Sequence, residues 1–448
     1  MNISFNTEIP LVSGYDAVIA GGGPAGCAAA LAAARNGAKV LLLEYSSSLG
    51  GMGTQGLIPA WCPFSDKEKI IYQGIGQEIF EKVKAQMPHI KPTDVDWVPI
   101  DAEVLKRVLD RLLTEANVDV LFNTMVVGAG VETRANGKKR INHVIAAHKG
   151  GLRAWGGNVF IDCTGDADLV ALAGIERRFG DEKTGDVQPS THCFTLTNVD
   201  MHYYRCMPRL HMSNPNSVSW KAAKSDKYPE IKDGHCCNCI VGPGTIGFNA
   251  GHLWNVNPAD PAGISNALML GREIAHEYQQ ALKEYLPEVF GSAWLCQTAP
   301  SMGIRETWRI IGDYEFTLDD YMKRRTFPDE IGRSCYFLDV HITEEDRRRI
   351  LNGEINGEEG WEQYKPGESH GIPRGILQVK EGENILAAGR NVSTDHRTQS
   401  SLRVMPVCFV MGQAAGVMAA LAGKEKDIRD VDTALLRETL NKDGAYFI

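Results

Sequence analysis

The stretch that most constrains this chain runs from Tyr15 to Glu44, YDAVIAGGGPAGCAAALAAARNGAKVLLLE. Ala17 to Ala20 is a short apolar run suited to a buried parallel strand. Gly21, Gly23 and Gly26 follow in the G-x-G-x-x-G spacing. Gly21 permits a tight turn, Gly23 lets the backbone approach a pyrophosphate, and Gly26 lets a helix pack close to the sheet. Pro24 falls in the first helical turn, where its missing N–H costs nothing. The positive end of that helix, with its free N–H groups, faces the phosphates. Val40 to Leu43 predicts a second strand, and Glu44 ends it, eighteen residues after Gly26. A carboxylate there accepts the ribose hydroxyls of an adenosine and repels a 2′-phosphate, which excludes NADP. Strand, glycine turn, helix, strand and acid together form a grip for the ADP half of a dinucleotide.

The glycine spacing alone is weak, since Gly242, Gly244 and Gly247 repeat it in VGPGTIGF. No amphipathic helix follows that copy, only FNAGHLW and the breakers of NVNPADPAG. It is read as a turn between two strands.

The chain has 448 residues, 43% hydrophobic and 23% charged, enough for two or three structural units. Its net charge of -9 excludes a broad field for nucleic acid. The first residues lack a basic start with an apolar core, and no apolar run is long enough to span a bilayer. A cytoplasmic protein is expected. The eleven cysteines are scattered, several in apolar runs (Cys27, Cys163, Cys408), as for reduced thiols.

After Glu44, SSSLGGMGTQGLIPAWCPF reads as a loop able to run along the cofactor. Helical periodicity is predicted over 67–85 and 101–116, strands over 118–122 and 124–127, and a meander over 130–152 with a turn at Asn136-Gly137. Asn158 to Asp162 predicts a strand entering a Thr-Gly-Asp turn that opens a small-residue helix. From about Asp186 to Gln297 aromatics, His, Cys and Pro become frequent, a shift that suggests a separate substrate-side domain with one clear helix, Ile264 to Tyr285. Gly353 to Glu368 is an acidic, glycine-rich surface loop. Asn384 to Ala388 predicts a final strand, and Pro406 starts a long small-residue helix that stops at Gly423.

This order of motifs resembles the bacterial FAD-dependent oxidoreductases of the glutathione-reductase-like fold, related to the fumarate reductase flavoproteins. The resemblance rests on GGGPAG at 21–26 with Glu44, LGGMGTQG at 49–56, FIDCTGDADL at 160–169 and GIRETWRIIGDY at 303–314. FPDEI at 327–331, AAGRN at 387–391 and RVMPVCFVMGQAAGVMAALA at 403–422 complete it. It implies an α/β fold: a Rossmann-like FAD-binding domain interrupted by an α+β substrate or cap domain. The FAD domain would comprise 14–185 and 301–448, the cap 186–300 with contributions around 320–375. The resemblance implies FAD as cofactor, held by Gly21, Gly23, Pro24, Ala25, Gly26, Glu44, Gly51, Met52, Val126, Thr164, Gly165, Asp166, Gly389, Arg390, Asn391 and Met405. Asp166 has an alternative reading, a cap on its own helix. The helix from Pro406 would aim its positive end at the flavin, where negative charge builds on reduction.

The expected activity is hydride transfer between flavin and a small polar substrate, hydroxyl- or carboxylate-bearing, sugars among them. Two alternatives stay open: a fumarate-reductase-like reductase of an unsaturated carboxylate, and a flavoprotein that binds FAD for structure or partner assembly. Flavin dehydrogenation requires a proton acceptor and a pocket that orients the C–H. His396 and Arg403 lie just before the flavin-facing helix, Arg403 holding a substrate carboxylate or the flavin carbonyl edge, or pairing with Asp395. Arg305 lies with Glu306 at an expected helix start, and several arginines (Arg374 and Arg397 among them) could hold an anion. Tyr336, Asp339 and His341 sit in CYFLDVH, where strand alternation puts Asp339 and His341 on one face. Asn249, His252 and His192 are weaker candidates. In HCCNC (His235, Cys236, Cys237, Cys239) the C-x-x-C spacing is half a zinc site, but no second pair follows, so no metal is expected. Cys62 is either a flavin tether or a packing residue. The electron acceptor and oligomeric state leave no signal.

Overall fold

A computed structural model describes residues 3, 6–341, 343–352, 354, 363–423 and 427–448. Its centre is a seven-stranded sheet. Strands β1 (Leu11–Ala20), β2 (Val40–Leu43), β3 (Asp119–Leu121), β4 (Met125–Thr133), β5 (Lys139–His148) and β6 (Gly151–Asp162) lie in the order β3-β2-β1-β6-β5-β4. Nine further strands follow: β7 (Arg177–Phe179), β8 (Phe194–Thr197), β9 (Cys236–Gly242), β10 (Thr245–Ala250), β11 (Trp294–Thr298), β12 (Trp308–Ile310), β13 (Glu330–Ser334), β14 (His370–Pro373) and β15 (Ile385–Ala387).

β6 is long enough to serve two partners along one edge. Its first half pairs antiparallel with β5, and its last three residues pair parallel with β15. The other edge pairs parallel with β1, which continues through β2 to β3. Five parallel strands therefore end together at Ala20, Leu43, Leu121, Asp162 and Ala387. In open α/β sheets that end is where ligands bind.

The helix Pro24–Arg35 is rich in alanine and is buried through most of its length. It packs against the helix Met405–Leu421, and the closeness of that contact depends on glycine. A Cβ on Gly412 would lie 2.1 Å from the Ala25 carbonyl oxygen, and one on Gly416 2.2 Å from that of Ala29. The crossing brings the start of the second helix to the carboxyl ends of the strands. The two helices His396–Leu402 and Met405–Leu421 meet at 88°, and no single helix among the described residues is long and apolar enough to cross a membrane.

A second sheet, β11-β8-β10-β9, has its own hydrophobic core. Phe194 and Phe248 stack at 4.9 Å on its inner face, beneath the helix Pro261–Tyr285. The second glycine motif is the β9–β10 hairpin turn. The remaining strands pair as β7 with β12 and β13 with β14.

Four local expectations change. Helix over 67–85 contracts to Ile75–Lys84, because Gly74 sits at φ 69 and Asp66 ties the preceding residues into a turn through the Glu68 and Lys69 N–H groups. Arg305 and Glu306 do not start a helix; they lie in extended chain leading into β12. Tyr336 to His341 pairs with no strand, although Asp339 and His341 still meet. The Thr-Gly-Asp helix is a single short turn, Asp168–Leu172. Of the acidic loop at Gly353 to Glu368, residues 353 and 355–362 lie outside the described residues.

Candidate active site

A cavity of about 1340 Å³ lies between the carboxyl ends of the parallel strands and the second sheet. One end is built mainly from backbone. Gly21, Gly23, Pro24, Ala25, Glu44, Gly51, Met52 and Val126 line it, with Thr164, Gly165, Asp166, Gly389, Arg390 and Met405 opposite. Gly26 and Asn391 stand behind this wall. A Cβ on Gly26 would fall 1.8 Å from the Gly21 carbonyl oxygen, so its bareness sets the turn. Asn391 is fully buried and donates Nδ2–H to the Asp162 carbonyl and carboxylate at 3.3 and 3.2 Å.

These residues fit FAD. A Cβ on Gly23 would meet nothing within 4 Å, so that backbone is open to the cavity. Glu44 is fixed on the wall by the Gly22 and Ser46 N–H groups, which donate to its two oxygens at 2.6 and 2.7 Å. Two helices, Pro24–Arg35 and Met405–Leu421, begin on this wall, and their free N–H groups and dipoles favour negative charge there. Arg390 adds a cation whose Nε is buried without a partner. Asp166 caps no helix: its Oδ1 accepts from Arg390 Nη2 at 2.6 Å and from the Thr307 hydroxyl. Asp162 instead receives the helical N–H of Val170 at 3.0 Å.

The other end of the cavity is built from side chains. Arg305 is buried and donates Nη1–H to the Pro189 carbonyl at 2.6 Å and to Thr191 Oγ1 at 2.8 Å, with Nη2 reaching Asn249 Oδ1 at 3.4 Å. Arg403 pairs with Asp339 rather than Asp395, its Nη2 lying 3.0 Å from both the carbonyl and Oδ2 of Asp339. Arg403 Nε has no partner. Asp395 instead caps the helix His396–Leu402 through the Thr398 N–H. Tyr336 donates its hydroxyl to Asp339 at 3.1 Å, and His341 Nε2 lies 3.6 Å from the same oxygen.

Burial is the largest influence on Asp339 and opposes its charge, but His341, Arg403 and Arg305 outweigh it and hold the carboxyl below the ordinary range. Burial, with the charge of Arg305, pushes the His341 imidazole down to about 3 despite Asp339, so it is neutral near pH 7. Burial and the nearby Arg403 lower Arg305 to about 10. The Cys62 thiol, on the same wall, is pushed up to about 12 by burial.

His396 does not line the cavity. Its Nδ1 lies 2.8 Å from Glu306 Oε1, and its backbone N–H donates to Glu182. Burial lowers its pKa, but the hydrogen bond and charge of Glu306 overcome this and leave it raised. Glu306 pairs with His396 and Arg309, not with Arg305. Arg374 is also away from the cavity, bonded to the Val431 carbonyl at 2.8 Å. His192 packs over Gly271 and reaches the Ala299 carbonyl at 2.7 Å.

Cys236 and Cys239 do not converge: Cys236 is buried in the core of the second sheet, while Cys239 Sγ donates to the Pro59 carbonyl at 3.0 Å. His235 turns instead towards His252 and His341, and Asp233 stands behind His252 at 2.5 Å. Sequence reasoning passed over Asp233 altogether. Nothing in its spacing marks it, since its partners come from separate segments.

Among solved structures, the chain is similar to a geranylgeranyl bacteriochlorophyll reductase-like protein from Thermoplasma acidophilum, at 12% identity and TM-score 0.43 over 96% of this chain and 83% of that one. It is also similar to p-nitrophenol 4-monooxygenase from Pseudomonas putida, at 12% identity and TM-score 0.40 over 97% and 84%. A flavin-dependent brominase aligns at 12% identity and TM-score 0.43 over 96% and 84%. No curated protein matches the chain in sequence. Residues 16–440 match the family model described as FAD dependent oxidoreductase, and with its glycine turn, acid and paired helix termini around one cavity the chain belongs to that family of FAD-using enzymes.

Proposed function

We propose that this enzyme oxidises a small hydroxyl-bearing carboxylate, of the hydroxy-acid or sugar-acid class. The observation that carries this reading is the pair of guanidinium groups, Arg305 and Arg403, on the same wall as a histidine–carboxylate cluster. Bound FAD supplies the acceptor for a hydride from the substrate carbon.

The protein's part is placement and charge. Arg305 is anchored through one nitrogen, and its second faces only the long contact to Asn249. Arg403 is held from one side by Asp339 and keeps a free Nε. Two such cations suit one carboxylate, which fixes the substrate against the far end of the cavity. The substrate hydroxyl then falls beside His341, on the part of the cavity that His235 also lines. The amino-terminal end of the helix Met405–Leu421 favours the negative charge that accumulates at the cofactor end.

The test is anaerobic mixing of the FAD-loaded enzyme with hydroxy acids, sugar acids, neutral sugars and amines, following loss of flavin colour. Hydroxylated acids should bleach it, and amines should not. Unchanged colour with all of them, together with reoxidation of chemically reduced enzyme by unsaturated acids, would replace this reading with the reductase.

A further inference from the structure

Three histidines meet on the wall of the second sheet although the chain separates them widely. His235 immediately precedes β9, His252 follows β10, and His341 arrives from 89 residues beyond His252. One ring nitrogen from each lies within 4.8 Å of the others. The tightest approach is His252 Nε2 to His341 Nδ1, at 2.9 Å. His235 and His252 are buried, and His235 and His341 both line the cavity.

The outer ring nitrogens have carboxylates behind them. His252 Nδ1 lies 2.5 Å from Asp233 Oδ2, and Asp233 is itself fixed by the His235 backbone N–H, which donates to its Oδ1 at 3.0 Å. His341 Nε2 faces Asp339 Oδ2 at 3.6 Å. A carboxylate on one imidazole nitrogen makes that nitrogen the N–H and leaves the other as a lone pair. By that rule His252 Nε2 offers a lone pair, and His341 Nδ1 meets it at 2.9 Å. A proton on His341 Nδ1 would satisfy that contact, and so would a cation bound by both nitrogens.

The proton would serve those two nitrogens only. The third ring bears on the choice. His235 stacks on His252 at a centroid distance of 4.1 Å, and its Nδ1 is buried with no hydrogen-bond partner. A burial this complete normally leaves no polar atom unpaired. A cation takes three nitrogens where a proton takes two. Imidazole donors with carboxylates on their far nitrogens are the arrangement that metal-ligating histidines adopt. An all-nitrogen set favours zinc-class transition metals over magnesium or calcium, which prefer oxygen.

We infer that His235, His252 and His341 form a three-histidine site for a divalent cation of the zinc class, with a fourth position open to the cavity. Asp233 and Asp339 are positioning residues that orient His252 and His341. The fourth position takes water or an oxygen of the substrate; only this last point rests on the substrate reading above. HCCNC thus contributes its histidine to the site and none of its cysteines.

The experiment is equilibrium dialysis of the FAD-loaded enzyme against zinc or cobalt(II), with metal counted per chain by plasma mass spectrometry. One equivalent is expected. His252→Asn and His341→Asn should each weaken retention at least 100-fold, and Asp233→Asn roughly 10- to 100-fold. FAD content and thermal midpoint, read on the same samples, show that each variant is folded. Should His252→Asn fail to fold, His341→Asn on the cavity wall carries the test alone. No retained metal, or retention unaffected in folded histidine variants, would overturn the site. Flavin bleaching measured in parallel separates the two claims. Bleaching by hydroxy acids without metal removes the cation and keeps the function. One equivalent of metal with no bleaching keeps the cation and removes the substrate.

Discussion

The two ends of the cavity are built on different principles. The cofactor end is made of glycines, strand termini and helix starts, so its chemistry is that of the main chain. The polar end is made of buried and partly buried arginines, histidines and an aspartate drawn from segments between Thr191 and Arg403. Main-chain sites are rigid and steric, and they fail when atoms are added. Side-chain sites are electrostatic, and they fail when a charge or fork is removed. A substitution at one end should therefore disturb folding or FAD affinity, and one at the other should disturb turnover with FAD still bound.

The largest effect expected is at Gly26. Gly26→Val puts a branched side chain where a Cβ already lies 1.8 Å from a carbonyl. Destabilisation above about 4 kcal/mol is expected, seen as loss of FAD and of cooperative melting; a normal holoenzyme would break the steric account. Gly416→Leu, at the helix crossing, should cost about 2–3 kcal/mol, read as a lower midpoint in denaturant with FAD binding recoverable.

Glu44→Ala sharpens the comparison because it removes charge from the cofactor end. It strands the N–H groups of Gly22 and Ser46 and would remove the proposed ribose contact, so FAD affinity should fall by about 2 kcal/mol, near 30-fold. Saturating FAD should restore the reduction rate of the wild type. A variant that binds FAD normally would contradict the assignment of Glu44.

The smallest effect concerns His396. Its pKa is raised in the fold by Glu306, so its contribution to stability is full below the unfolded value of about 6.5 and fades as pH rises through the folded value. His396→Asn should lose on the order of 1 kcal/mol at pH 5 and progressively less at higher pH, by chemical denaturation at several pH values. Its kinetics should match the wild type. A large fall in flavin reduction rate would return His396 to the mechanism.

The same division decides what could be read in advance. Strand, turn and helix around Gly21 are contiguous, and each residue type there answers a local demand, so the sequence pattern carries them. Gly165, Gly389 and Met405 were reached through resemblance of motif order, and the strand ends bring them to one wall. Arg305, Arg403 and His341 were singled out by type and neighbourhood, without any signal that they share a wall. His396 stands out in the sequence because it lies just before the helix that starts at Pro406; the 88° bend between the two helices turns it away towards Glu306. Asp233 carries no periodicity or spacing at all. Its meeting with His252 is a product of the β9–β10 pairing, which brings the chain before one strand beside the chain after the other.

The central claim is that Arg403 serves the substrate and not the cofactor. The direct measurement is stopped-flow flavin reduction by a hydroxy acid, under anaerobic conditions, in wild type and Arg403→Lys. Lysine keeps a cation beside Asp339 but loses the planar fork. The account predicts one FAD per chain in both proteins and a half-saturating substrate concentration raised about tenfold or more in the variant. Superimposable concentration curves, or loss of FAD from the variant, would contradict it.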